Sequence, residues 1–237
     1  LIDAAIRTAP QRIVLSNREG KRTLYLEENQ PYFGTGSDLP YTYDHFTGER
    51  RKSLKQDVVN AAIVAEELEN IDFIMSMAIA GDTPEETSDL HQFTAMVINS
   101  KKPIVFTAHN RENLLNIIKI ASIITDGKKN LEQNPFVACY SEPISPLYHT
   151  KDGTQKLLTC AEYGIPVMYT PGLMGGAVAP VTLAGALVVA NAELLSGLVI
   201  HQLKRKGAPF IYGGCASFMD MKTMIQTYAK PEFHMNS

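Results

Sequence analysis

Tyr140, Tyr169 and Tyr212, with the carboxylates Glu142 and Asp38, are the residues of this sequence best suited to chemistry on a small cation. Each falls at or just after an apolar run of strand length, where α/β folds keep their reactive groups. A methylated ammonium gains from aromatic faces, about 0.5–2 kcal/mol each, and from a nearby carboxylate. His109 and Met174 occupy equivalent strand-end positions, as do Asp82, Ser145 and Asp220. These positions are poor in Arg and Lys, which disfavours a phosphorylated substrate. A Schiff-base lysine is not offered either, because Lys101 and Lys102 precede their strand. Every one of these residues also has a structural reading. Asp38 serves equally as a turn residue, Asp82 and His109 as helix-start residues, and the tyrosines as core with a bonded hydroxyl. Glu193, inside an apolar helix, reads as a paired structural carboxylate.

The elements that must position these side chains alternate. Apolar runs at Phe73–Ile79, Ile104–Ala108, Phe136–Tyr140, Val167–Tyr169 and Phe210–Tyr212 predict strands. Helical periodicity fills 53–69, 86–99, 111–126, 152–163 and 180–204. Strands without polar alternation, each followed by a helix, imply a parallel sheet buried on both faces. An open doubly wound sheet and a (β/α)8 TIM barrel both satisfy that pattern; the near-uniform repeat favours the barrel. With a first strand near 31–34, about six βα units are expected. Residues 1–30 stand apart as a short helix and a β-hairpin, Arg12–Leu15 with Thr23–Glu27 around Asn17–Lys21, added to a catalytic domain at 31–237. After Val167–Tyr169 the chain enters a glycine-rich turn, Gly172 to Gly176. From there it opens into a long helix that Pro180 begins and Gly207 closes.

Composition narrows the class. With 45 % apolar residues and a net charge of −3, the chain has material for a core and no basic footprint for nucleic acid. Cys139, Cys160 and Cys215 form no C-x-x-C pair, which points to reduced thiols and a cytoplasmic protein. Val178–Ala190 is the most apolar stretch, and Asn191 and Glu193 interrupt it, so a helix buried in protein is expected and no membrane association.

Five segments carry a more specific signal: Gly34-Thr35-Gly36-Ser37-Asp38, the DHFTGERR run at 44–51, EPISPL at 142–147, GLMGGAVAPVTLAGALVVANAE at 172–193, and GAPFIYGG at 207–214. In this order, and over essentially the whole chain, they resemble the trimethylamine methyltransferase family. The resemblance implies a barrel. It also implies methyl transfer from a methylated amine, trimethylamine or a quaternary amine such as glycine betaine, to the Co(I) of a separate corrinoid protein. Cobalt is then the nucleophile, which accounts for the lack of a catalytic triad. Because the chain lacks a D-x-H-x-x-G motif, the corrinoid must come on the partner, with none bound covalently and no metal site.

On that reading Glu142 and Asp38 tune the cation's surroundings, and Tyr140, Tyr169, Tyr212, His109 and Met174 line the substrate site. Gly34, Gly36, Gly172, Gly175, Gly176 and Gly213 shape the rim that faces the corrinoid. A homo-oligomer is expected. The sequence opens on Leu1 and stops at Ser237 where the family pattern continues. A fragment spanning roughly half of a member is therefore expected, with about two barrel strands outside it. Another small-molecule barrel enzyme and a non-catalytic relic acting through subunit association are the competing readings.

Overall fold

The computed structural model describes residues 1–27, 30–227 and 231. They belong to two compact units: Gln11–Cys139, and Leu1–Pro10 together with Tyr140–Ser237. The helix and the hairpin of the 1–30 extension thus belong to different units.

The unit Gln11–Cys139 begins with an antiparallel hairpin, β1 (Ile13–Ser16) and β2 (Arg22–Leu26), pairing Ile13 with Leu26 and Leu15 with Leu24. Leu15 and Leu24 are buried, while the Asn17 side chain accepts the N–H groups of Glu19 and Lys21 and folds the turn. A second hairpin, β3 (Tyr41–Tyr43) and β4 (Arg50–Lys52), was not anticipated. Its turn follows from Asp44, whose carboxylate accepts the N–H groups of Phe46 and Thr47, and from Gly48 at φ 72°. Those backbone donors, Thr47 first, together with Arg51 hold the Asp44 carboxyl down to about 2.

Three longer helices, α2 (Lys55–Glu67), α3 (Ser88–Asn99) and α4 (Arg111–Ile124), and the short α5 (Lys128–Gln133) follow. Asn110 caps α4 by accepting the Asn113 N–H. Between them β5 (Ile104–Phe106) pairs in parallel with the start of β6 (Val137–Ser141), Ile104 opposite Val137 and Phe106 opposite Cys139.

The strands expected at 31–34 and Phe73–Ile79 are reduced to isolated parallel bridges, Gly34 with Phe73, Ile74 with Ile104 and Leu39 with Ala78. Two local features break them. Met77 sits at φ 56°, outside the extended region. The Thr35 hydroxyl, meanwhile, accepts the Met75 N–H and donates to the Met75 carbonyl, taking the place of ladder bonds.

In the other unit, α1 (Ile2–Thr8) packs against the long helix α7 (Leu183–Lys204). Helix α6 (Lys151–Tyr163) starts at Thr150, whose hydroxyl accepts the Gly153 N–H, and ends at Gly164 with φ 67°. Strand β7 (Val167–Tyr169) runs parallel to β9 (Phe210–Tyr212). The glycine segment departs from the expected turn: Gly172–Gly175 is a strand, β8, lying parallel to β10 (Cys215–Asp220), which pairs antiparallel with β11 (Ile225–Thr227). Helix α7 begins at Leu183, not Pro180, because the Thr182 hydroxyl accepts the Gly185 N–H and caps it.

Among the described residues α7 is the helix long and apolar enough to cross a membrane, and about a third of its most apolar window is buried. It carries Glu193, His201 and Gln202 inward, all buried and hydrogen-bonded within the unit. Parallel strand pairs and interposed helices bear out the α/β class; barrel closure is a finer statement than these pairings make.

Candidate active site

In the unit Gln11–Cys139 the structure assembles a held carboxylate. Asp38 adopts φ 56°, a region costly for a residue with a Cβ. Its N–H donates to the Ser76 hydroxyl at 3.1 Å, and its Oδ1 accepts from that hydroxyl at 3.1 Å and from Gln92 Nε2 at 2.7 Å. Ser76 and Gln92 are buried, and Asp38 is half-buried. Gly36 and Thr35 lie in the same loop. A Cβ on Gly36 would make an ordinary contact with the Met77 sulfur at 4.0 Å, whereas one on Gly34 would stand 2.2 Å from the Phe73 ring. Glycine at 34 therefore lets the Phe73 ring pack against the backbone. His109 is exposed, and its backbone N–H donates to the buried Asp89 at 2.8 Å; Asn113 donates to the same carboxylate at 2.8 and 3.1 Å. Asp82, expected to start its own helix, instead accepts the Lys55 N–H at the start of α2.

The second cluster lies in the unit Tyr140–Ser237. Tyr140 donates its phenolic hydrogen to Glu142 Oε2 at 3.2 Å, and Glu142 is exposed. An ideal Cβ on Gly172 would lie 3.5 Å from that same oxygen, an ordinary contact, so glycine leaves the carboxylate uncrowded. The Thr170 N–H bonds the Ser141 carbonyl at 3.0 Å and fixes the ends of β7 and β6 together.

Tyr169 is placed differently from a cage wall. It is fully buried, and its ring lies on α7 where a Cβ at Gly197 would come within 2.5 Å of it. Its hydroxyl meets His149 Nδ1 at 2.6 Å, and His149 Nε2 meets the Ser196 hydroxyl at 2.7 Å. Burial, followed by the charges of Glu193 and Glu142, raises the phenol well above its ordinary value. Burial also lowers the His149 imidazole, against a smaller opposing effect of Glu193.

Tyr212 stays about half exposed and donates to Asn191 on α7. Burial of its hydroxyl end raises it as well. It edges a cleft of about 280 Å³ whose other walls include Leu187, Leu194, Gly213 and Ala216. Gly213 meets nothing within 4 Å, so the chain leaves room there. Gly175 does not: a Cβ would stand 2.5 Å from Phe218, and its role is close packing of β8 on β10. Gly176 turns the chain at φ 89°, and Met174 sits within β8 opposite Ser217.

Reading the sequence missed the partners that hold these groups: Ser76, Gln92, His149 and Ser196. Glu193 was singled out as a structural carboxylate, and it is one. Its Oε2 accepts from the Ser145 hydroxyl at 2.9 Å and its Oε1 from the Leu147 N–H at 2.7 Å. A signal for it exists, since Glu193 and Ser196 lie three apart, on one helix face. Among the described residues no cluster of three or more His, Cys, Asp and Glu side chains is placed to hold a metal ion.

The fold is α/β, with the half-buried Asp38 held in the unit Gln11–Cys139, and with the exposed Glu142 and a cleft edged by Tyr212 in the unit Tyr140–Ser237. The chain belongs to the trimethylamine methyltransferase (MTTB) family, whose model matches residues 1–236. It is 29 % identical over 235 residues to trimethylamine methyltransferase MttB of Desulfitobacterium hafniense, covering 99 % of this chain and 47 % of that one. It is 27 % identical over 232 residues to a glycine betaine methyltransferase from another strain of that species, covering 98 % and 48 %. The chain thus spans about half the length of the curated relatives it matches. Among solved structures a hyperthermophilic β-glucosidase mutant aligns at a TM-score of 0.32 and 14 % identity over 77 % of this chain and 59 % of that one, too slight a likeness to assign an architecture.

Proposed function

We propose that this chain is part of a methyltransferase that moves a methyl group from a methylated amine, trimethylamine or a quaternary amine such as glycine betaine, to the Co(I) of a separate corrinoid protein, on a (β/α)8 framework. The observation that carries the reading is family membership over residues 1–236, with relatives named for those two amines. The geometry supports it through Asp38, held by Ser76 and Gln92, and through Glu142, exposed beside Tyr140.

In the reaction the N–CH3 bond breaks with its electron pair retained by nitrogen, while the cobalt electron pair forms the new bond to carbon. The donor enters as a cation and leaves as a neutral amine. The corrinoid, a co-substrate, supplies the nucleophile. The residues of this chain bind the ammonium, aim its methyl group outward and exclude water. Glu142 attracts the cation, and the tyrosine faces at 140 and 212 in the same unit add cation–π attraction; Asp38, in the other unit, is a separate candidate counter-charge. The test uses the full-length protein with a reduced corrinoid protein and offers trimethylamine, glycine betaine and related amines one at a time. A change in cobalt absorption with one amine supports the reading and names the donor. A folded protein that changes the spectrum with none of them overturns it.

A further inference from the structure

Glu193 carries a role that the proposed reaction does not yet use. It is 1 % exposed, set in the apolar helix α7, and both oxygens are committed to one loop, to the Ser145 hydroxyl and to the Leu147 N–H. That loop, between β6 and α6, begins at Glu142. One turn further along α7, Ser196 bonds His149 at the far end of the loop, and His149 in turn bonds Tyr169 at the end of β7. Two successive turns of one helix therefore grip the loop at 145–147 and at 149. Within the loop, Ile144 and Tyr148 exchange both backbone bonds, at 2.8 and 3.0 Å, which closes it into a compact hairpin. Ile144, Leu147 and Tyr148 are more than half exposed, so apolar burial contributes little to its anchoring. A charged acceptor that receives an amide and a hydroxyl in a buried setting is the strongest tie the loop has.

We infer that Glu193 is a positioning residue: through Ser145 and Leu147 it fixes the loop that presents Glu142 to the ammonium. This rests on the methyltransferase reading above. The nitrogen loses positive charge as its methyl group leaves, so a carboxylate beside it favours the bound donor more than the transition state. Loosening the loop must then raise KM for the amine more than it lowers kcat.

The test compares Glu193→Leu, Glu193→Gln and Ser145→Ala in the full-length protein. Leucine suits the apolar helix and removes both acceptors. Glutamine keeps an acceptor for the Leu147 N–H and offers an amide to the Ser145 oxygen. Glu193→Leu is expected to raise amine KM about tenfold with kcat within about twofold, and to speed hydrogen exchange at the Leu147 amide by about tenfold or more. Glu193→Gln is expected to restore both to within about threefold of wild type, and Ser145→Ala, which removes one tie, to fall between. Should Glu193→Leu fail to fold, the KM and exchange shifts of Ser145→Ala carry the test. An unchanged KM and unchanged Leu147 exchange, in a wild type that does transfer methyl groups, overturn the inference alone. A wild type inactive with every amine overturns the reading beneath it.

Discussion

The two units treat their buried polar groups differently. In Gln11–Cys139 the focal groups are carboxylates surrounded by neutral donors: Asp38 by Ser76 and Gln92, Asp89 by Asn113 and the His109 amide. In Tyr140–Ser237 a buried carboxylate, Glu193, shares the interior with imidazoles. His149 links Tyr169 to Ser196, and His201 is fully buried, its Nδ1 bonded to the Leu157 carbonyl at 2.9 Å. The first arrangement surrounds a carboxylate with neutral donors. The second ties a loop to one helix through a buried carboxylate and a serine-bound histidine. Function by charge and function by placement thus leave different fingerprints, and different perturbations should expose them.

Acid should separate the units most. Burial lowers His201 from 6.5 to about 4, outweighing the backbone carbonyls of Leu157 and Pro209 that favour its protonated form. Between those values the unfolded chain binds a proton that the folded one refuses, so stability is lost as pH falls through that window. Urea unfolding near pH 7 and near pH 4.5 should differ by about 2–3 kcal/mol from this group, and His201→Gln should remove that part of the slope. An identical slope in the variant would show that the burial of His201 is not what makes the unit acid-sensitive.

Next in size is Asp38→Ala, expected to cost about 2–3 kcal/mol in urea unfolding, because Gln92 Nε2 is left buried without its acceptor and alanine must hold φ 56°. Asp38→Asn keeps an acceptor for Gln92 and Ser76, and should lose less than about 1 kcal/mol. Its effect belongs to function: calorimetric affinity for the donor amine should fall about five- to tenfold with charge removed, as it should for Glu142→Gln. If Asp38→Asn binds the amine normally, Asp38 is a structural knot and Glu142 stands alone as counter-charge. The smallest effect sharpens the contrast from the other side. Glu142 is exposed and holds one tyrosine, so Glu142→Ala should shift the unfolding midpoint by no more than about 0.5 kcal/mol.

Much of this architecture was legible in the sequence. Short apolar runs ending at Ala108, Tyr140, Tyr169 and Tyr212 are strands within two residues, and the helical periodicity over 111–126 and 152–163 matches α4 and α6. What stayed hidden depends on distant partners. Gly172–Gly175 has no intrinsic preference for a strand, and becomes one only because β10 pairs with it and Phe218 fills the space over Gly175. Phe73–Ile79 looks like a strand, but a left-handed Met77 and the Thr35 hydroxyl divert its bonds. Tyr169 could not be told from a cage wall until Gly197 was seen to admit its ring against α7. Asp38 and Glu142 were singled out by residue type and strand-end position alone. Gln92, which holds Asp38, and His149, which holds Tyr169, were not, because nothing local distinguishes a helix glutamine or a loop histidine with a distant partner.

The measurement that bears most directly on the central claim follows carbon. Trimethylamine or glycine betaine carrying a 13C label on its N-methyl groups, mixed with the full-length protein and a reduced corrinoid protein, should yield a 13C resonance of a cobalt-bound methyl group. One equivalent of amine lacking one methyl should appear with it. Label that remains wholly on nitrogen, with both proteins folded and the cobalt reduced, would contradict methyl transfer as the activity of this protein.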